Sequence, residues 1–374
     1  MASTFSLKRP KGFTGIAVAM LLMLVAGCTS GGMLSQSARA PGTETPAADQ
    51  VGEGLQVIGM LVGDEDGSLS DGVANSAYRA GKLAATTLTG TPVTLVIRRY
   101  ERNASSVKKV AADLVAAGAT IIIGPDDAQG AATLADLLKG KEIPILSLAR
   151  GADPAAGIYA AGLSLDEEIA ATIGEMQKRR HGTILIVRTG DSASAAYASA
   201  LSAAAGAAGI AASEVDFTDA AAGLAQLRQL AATGKGVPNA VVFATSQGRA
   251  APVITELRNE AAYAAIDMVG NSSWDLSQHP LPQTGPVWHP SLSGNNLASF
   301  SEKFFAANSQ RPTLRSAIAY DLVIMAGALP QLAPDDPYHP EILGNEQGFK
   351  GMTGGFRFDE NGVARRIYVI NNIK

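Results

Sequence analysis

The chain is poor in cysteine, histidine and charge. One cysteine, Cys28, in 374 residues leaves no intramolecular disulfide and no zinc site built from several thiolates. Of the four histidines, His279, His289 and His339 each precede a proline in an expected loop, and His181 falls at an expected helix end. They read as turn and helix-end residues before metal ligands. Charged residues make up 17% with a net charge of -4, and no Lys/Arg stripe stands out. Nucleic acid, which needs clustered cations, is therefore excluded as a partner. Gly-x-Ser-x-Gly, Gly-x-x-x-x-Gly-Lys-Ser/Thr and His-Glu-x-x-His are absent. The Ser-x-x-Lys of Ser105-Ser106-Val107-Lys108 opens an amphipathic helix, where serine caps and lysine faces water, and no Lys-Thr-Gly follows. The expectation is a protein that is not an enzyme and holds no metal and no cofactor.

What is present is apolar and ordered in rhythm. With 47% hydrophobic residues the chain is long enough for two lobes, each with its own core. Lys8, Arg9 and Lys11 precede an uncharged run, residues 15–27 (GIAVAMLLMLVAG), too short to span a bilayer comfortably. That is the layout of an export signal over residues 1–27. Residues 28–54 carry almost no bulky apolar side chains and read as a flexible tether.

Short apolar runs then alternate with helical spacing. Residues 55–62, 93–98, 119–123 and 143–148 read as strands, and 72–89, 104–117 and 128–138 as helices, with Asp71, Asn103 and Asp127 as caps. The rhythm restarts after Gly162. Strands are expected at 183–188, 212–217, 240–244 and 267–270, and helices at 165–180, 193–208, 220–232 and 252–259. Pro/Gly-rich stretches at 281–290 and 333–340 mark places for the chain to cross. The fold class is α/β, two Rossmann-like lobes with parallel central sheets.

Four segments carry a specific resemblance. "VAGC" at residues 25–28 resembles the bacterial lipobox, which implies lipid on Cys28. Thr29 stands where inner-membrane lipoproteins often carry Asp, which points to the outer membrane. "ADLVAAGATIIIGPDDAQGAATLADLLKGKEIPILSLA", "FSEKFFAANSQRPTLRSAIAYDLVIMAGAL" and "MTGGFRFDENGVARRIYVINN", in that order, resemble type I periplasmic binding proteins of the leucine/isoleucine/valine-binding branch. Asn361-Gly362 is the turn of the closing hairpin. The resemblance implies a hinge crossed about three times. Lobe one is then expected at residues 55–161 plus 286–351, and lobe two at 162–285 plus 352–374. "NSSWD", the lipobox and the high Ala content also resemble bacterial lipoproteins that activate penicillin-binding proteins.

In open α/β sheets, ligands sit at the carboxyl ends of the strands. The loops there supply Asp66, Asp126, Asp127, Gln129, Ser147, Arg150, Asp191, Ser192, Ser246 and Trp274 as candidate ligand contacts. Four of them have a plainer alternative. Asp66 belongs to a solvated acidic loop; Asp127 caps a helix; Arg150 is either a bidentate partner for an anion or a rim residue. Trp274 either stacks on a ligand or partner or covers the hinge region. In the relatives, a hydroxyl follows the Gly-Pro pair and receives the ligand carboxylate; the carboxylates of Asp126 and Asp127 would repel it. The leading expectation is a lipid-anchored, periplasm-facing protein that binds a small polar, amino-acid-like ligand for transport or sensing, read by an ABC permease. The alternative is a lipoprotein activator of a peptidoglycan synthase, acting by protein contact through a degenerate cleft.

Overall fold

Two stretches of β-α alternation build two six-stranded sheets of one plan. The computed structural model describes residues 49–64, 73–88, 90–149, 157–232, 237–277, 279–282, 284–292 and 296–373. The first sheet holds β1 (Asp49–Val51), β2 (Gln56–Asp64), β3 (Val93–Glu101), β4 (Ala119–Ile123), β5 (Ile145–Ser147) and β6 (Ile158–Ala160), in the order β1-β3-β2-β4-β5-β6. All pairings are parallel except that of β1 with β3. Next come β7 (Thr183–Arg188), β8 (Ala211–Asp216), β9 (Ala240–Phe243), β10 (Asp267–Val269) and β11 (Val287–Leu292). A small antiparallel sheet follows, formed by β12 (Phe349–Gly351), β13 (Gly354–Phe358) and β14 (Ala364–Arg366). Finally β15 (Tyr368–Ile373) completes the second large sheet, ordered β15-β11-β10-β9-β7-β8, where it alone runs antiparallel.

The helices cover both faces of each sheet. They are α1 (Val73–Thr87), α2 (Ala104–Ala116), α3 (Ala128–Leu138), α4 (Leu165–Lys178), α5 (Ser192–Ala207), α6 (Ala220–Ala232), α7 (Gln247–Arg258), α8 (Leu297–Asn308), α9 (Leu314–Leu332) and α10 (Pro340–Leu343). A strand sends alternate side chains to opposite faces. On β2, Ile58, Met60 and Val62 accordingly enter the core beneath α1 and α9, while Leu61 joins the core beneath α2 and α3. On β7, Ile184 and Ile186 face α4 and α5, and Leu185 and Val187 face α6 and α7. Among the described residues no helix is long and apolar enough to cross a membrane.

The chain passes between the sheets at three places: from β6 to α4, from β11 to α8, and from β14 to β15. Three sequence expectations differ from what is observed. Residues 49–51, expected in the tether, form edge strand β1; Asp49 is held by the Tyr78 hydroxyl and lies 3.6 Å from Lys82 Nζ. Residues 286–292, expected in lobe one, contribute β11 to the second sheet with all six residues buried. His289 therefore sits in a buried strand, not a loop. The closing hairpin, expected in lobe two, packs Phe356, Phe358 and Ala364 into the first lobe's core, and only β15 returns to the second sheet. Cys28, the export signal, Asp66, Asp71 and Arg150 lie outside the described residues.

Candidate functional site

Each sheet contains the strand order 2-1-3-4-5, read as β3-β2-β4-β5-β6 and β8-β7-β9-β10-β11. Such a sheet has a crevice where successive connections leave in opposite directions, here beyond β2/β4 and β7/β9. The segments at these points are Gly124-Pro125-Asp126, leading to α3; Thr189-Gly190-Asp191, leading to α5; and Ala244-Thr245-Ser246, leading to α7. Three helix N-termini therefore converge on the two switch points, each with amide donors free of helix partners.

In the first lobe the centre is Asp126, whose side chain is 4% exposed. Its Oδ2 accepts from Arg102 Nη2 at 2.7 Å and from Arg315 Nη1 at 3.2 Å. The Tyr100 hydroxyl lies 2.8 Å from Asp126 Oδ1 and 2.5 Å from Asp127 Oδ2. Burial, then the charge of Asp126, holds the Tyr100 phenol well above its ordinary range, so it remains a donor. Gly63 makes room for this group, since a Cβ there would stand 2.7 Å from Asp126 Oδ1. Gly124, at φ +95°, turns the chain against the Leu61 carbonyl, which a side chain would strike. Asp126 is thus paired with two guanidiniums, Arg102 and Arg315. Asp127 caps α3, accepting from the Gly130 amide at 2.6 Å. Gln129 is exposed in the first turn of α3, beside a crevice of about 10 Å³ that Tyr100 and Arg102 also line. The Ser147 hydroxyl is buried; it donates to the Pro125 carbonyl at 3.3 Å and accepts from the Ala149 amide at 3.2 Å.

In the second lobe Asp191 caps α5 and accepts from Thr189 Oγ1 at 2.7 Å. That bond, with the Ser194 amide next, lowers its pKa below the ordinary carboxylate value. Arg249 Nη1 stands 3.7 Å away. Ser192 opens α5 and is exposed. Ser246 is the N-cap of α7, yet its side chain makes no capping bond. Beside it, Gln247 is buried, and among the described residues its Oε1 has no hydrogen-bond partner. Trp274, in the 3-10 helix Ser272–Leu276, is buried; its Nε1 donates to the Thr245 carbonyl at 2.9 Å. Its indole is turned into the second lobe's core.

The structure thus gathers Asp126 and Asp127 at one switch point and Asp191, Ser192 and Ser246 at the other, and leaves Ser147 and Trp274 turned inward. Sequence reasoning missed Tyr100, Arg102, Arg315 and Gln247. Gln247 follows a recognised loop; Arg315 carried no local signal. Elsewhere, a groove of about 920 Å³ runs between the amino end of β6 and the β13–β14 hairpin, past Tyr159, Arg357 and Glu360. It lies at the end of the sheet opposite the switch points. Among the described residues no group of three His, Cys, Asp or Glu side chains could hold a metal.

A family model described as "Periplasmic binding protein" matches residues 57–364. No curated protein is significantly similar in sequence. Among solved structures, the chain resembles an ABC transporter substrate-binding protein from Desulfitobacterium hafniense in complex with Leu. The TM-score is 0.57 at 19% identity, covering 85% of this chain and 97% of that one. It also resembles a branched chain amino acid ABC transporter periplasmic ligand-binding protein from Burkholderia xenovorans LB400, with TM-score 0.63 at 15% identity over 84% and 89% of the chains. A third is a solute binding protein of an ABC transporter from Rhodopseudomonas palustris BisB5, in complex with 3,4-dihydroxy benzoic acid. There the TM-score is 0.62 at 13% identity over 85% and 93%. These likenesses are of fold: α/β, with two parallel-dominated six-stranded sheets of the type I plan.

Proposed function

The chain belongs to the periplasmic binding protein family, and from that premise we propose that it is a lipid-anchored solute-binding protein of the cell envelope, not an enzyme. It holds a small polar, amino-acid-like ligand between its lobes for transport or sensing. The observation that carries this reading is the pair of matched switch points, each ending in helix N-termini with polar side chains. Ligand contacts are assigned to the ends of α3, α5 and α7, through Asp127, Gln129, Asp191, Ser192 and Ser246, with Asp66 and Arg150 kept as candidates from the sequence. Lobe closure is the signal that an ABC permease reads. Cys28 bears the lipid, and the outer membrane is the proposed address.

A second reading follows from Ser147 and Trp274, whose polar atoms are spent on their own lobes. A cleft short of ligand donors suits a protein that activates a peptidoglycan synthase by contact. One experiment separates the two: a thermal-shift screen of the full chain in mild detergent against amino acids, aromatic acids, amides, polyamines and muropeptides. A ligand at a hundred times its Kd adds about 2.7 kcal/mol of stability. No shift with any of them, together with capture of a peptidoglycan synthase, overturns solute binding.

A further inference from the structure

A cavity of about 30 Å³ opens at the carboxyl end of β5, beside the first passage between the sheets. Its lining is Leu148, Gly162, Leu163, Ile318 and one charged group, Arg315. Resting on the solute-binding reading above, we infer that Arg315 is the residue that takes the ligand's carboxylate.

Arg315 is oriented from behind. Its Nη1 donates to the buried Asp126 at 3.2 Å, which pins one edge of the guanidinium and leaves its side chain 33% exposed. A guanidinium offers five donors in a planar fork, and a carboxylate needs two of them. Position favours a binding role over a structural one. Arg315 is the second residue of α9, where a cation opposes the helix dipole, and no acidic residue sits in that first turn to offset it. The cavity has room for one or two water-sized groups, which matches the two oxygens of a carboxylate head. Its remaining side chains are apolar, so the guanidinium is the one charged partner on offer and an uncharged head group gains less from it.

The test compares acids with their amides. Affinities of the full chain in mild detergent for leucine, leucinamide, benzoate and benzamide are measured by calorimetry, for the wild type, Arg315→Gln and Arg315→Lys. The wild type should bind at least one acid about tenfold or more tightly than its amide, the size of a lost charged hydrogen bond. Arg315→Gln should bring that ratio close to one, and Arg315→Lys, which keeps charge without the fork, should fall between. A ratio near one in the wild type overturns the assignment without any variant. So does a ratio that stays at the wild-type value in folded Arg315→Gln, and in both cases solute binding stands. Failure of the wild type to bind any of the thermal-shift panel removes the solute-binding reading, and the assignment falls with it.

Discussion

The Arg366 guanidinium donates to the Ala161 carbonyl at 3.1 Å, which ties the third passage between the sheets to the first. Arg366 Nη1 also donates to Thr353 Oγ1 at 3.0 Å, and Thr353 donates through both hydroxyl and amide to Asp321 Oδ2. The Arg366 amide donates to Glu167 Oε2 at 3.2 Å. Burial pushes Asp321 up and Arg366 down, and each charge partly offsets the shift of the other. Arg366→Ala removes a buried cation, whose charge offsets part of the rise at Asp321, and leaves the Thr353 hydroxyl and the Ala161 carbonyl without its bonds. The expected cost is about 3–5 kcal/mol in urea unfolding, and Arg366→Lys should cost less. A loss below about 1 kcal/mol for the alanine variant would place Arg366 among solvent-screened pairs.

A buried pair within the second lobe holds two opposed pH responses. Asp275 Oδ1 and His289 Nδ1 lie 3.6 Å apart with both side chains 2% exposed. Burial raises Asp275 to about 7, with the nearby Glu168 adding to the rise, and burial lowers His289 to about 4. Between those values both are uncharged in the fold, so they are not an ion pair. Ordinary values are 3.8 for the carboxyl and 6.5 for the imidazole. From about pH 4 to 6.5 the folded state therefore holds one extra proton at Asp275 and one fewer at His289, and the two slopes cancel. Asp275→Asn leaves the histidine alone, so stability should rise with pH across that window by about 1.4 kcal/mol per unit. His289→Gln leaves the aspartate alone, and stability should fall from about pH 4 to 7 at the same slope. Urea unfolding across the window reads both; parallel curves for all three chains would sink the assignment.

The parts of this fold legible in sequence are those specified locally. Residues 119–123 and 183–188 are apolar runs bounded by turn signals, and both strands fall there. Asn103 and Asp127 cap α2 and α3 because an Asx side chain reaches an amide three residues on. β11 was hidden because His289-Pro290 has loop chemistry, while the strand exists through pairing with β10 and β15. Arg315 was hidden for a similar reason. Its partner Asp126 is 189 residues away in the chain, and no local spacing joins them.

Trp274 separates a structural indole from a ligand-stacking one. Its Nε1 shares the Thr245 carbonyl with Asn271 Nδ2, and its ring centroid lies 6.2 Å from those of Phe243 and His289. Trp274→Phe keeps an aromatic ring but loses one hydrogen bond and part of the packing, an expected cost of about 1–3 kcal/mol. Trp274→Ala opens a cavity and should cost about 3–5 kcal/mol. Ligand affinity of the phenylalanine variant should match the wild type. Lost affinity with an unchanged melting midpoint would instead make Trp274 a ligand contact.

Cys28 is tested by fractionation. With β1 starting at Asp49, the stretch between the proposed lipid and the first sheet is residues 29–48, which reach at most about 70 Å when fully extended. Cys28→Ser removes the proposed acyl attachment and leaves every described contact in place, so the protein should move from the membrane fraction to the soluble periplasmic fraction with its melting midpoint and ligand affinities unchanged. Retention on the membrane after removal of the signal segment would mean that something other than lipid on Cys28 holds the protein there. Loss of the midpoint itself would mean that the cysteine supports the fold, which no described residue requires.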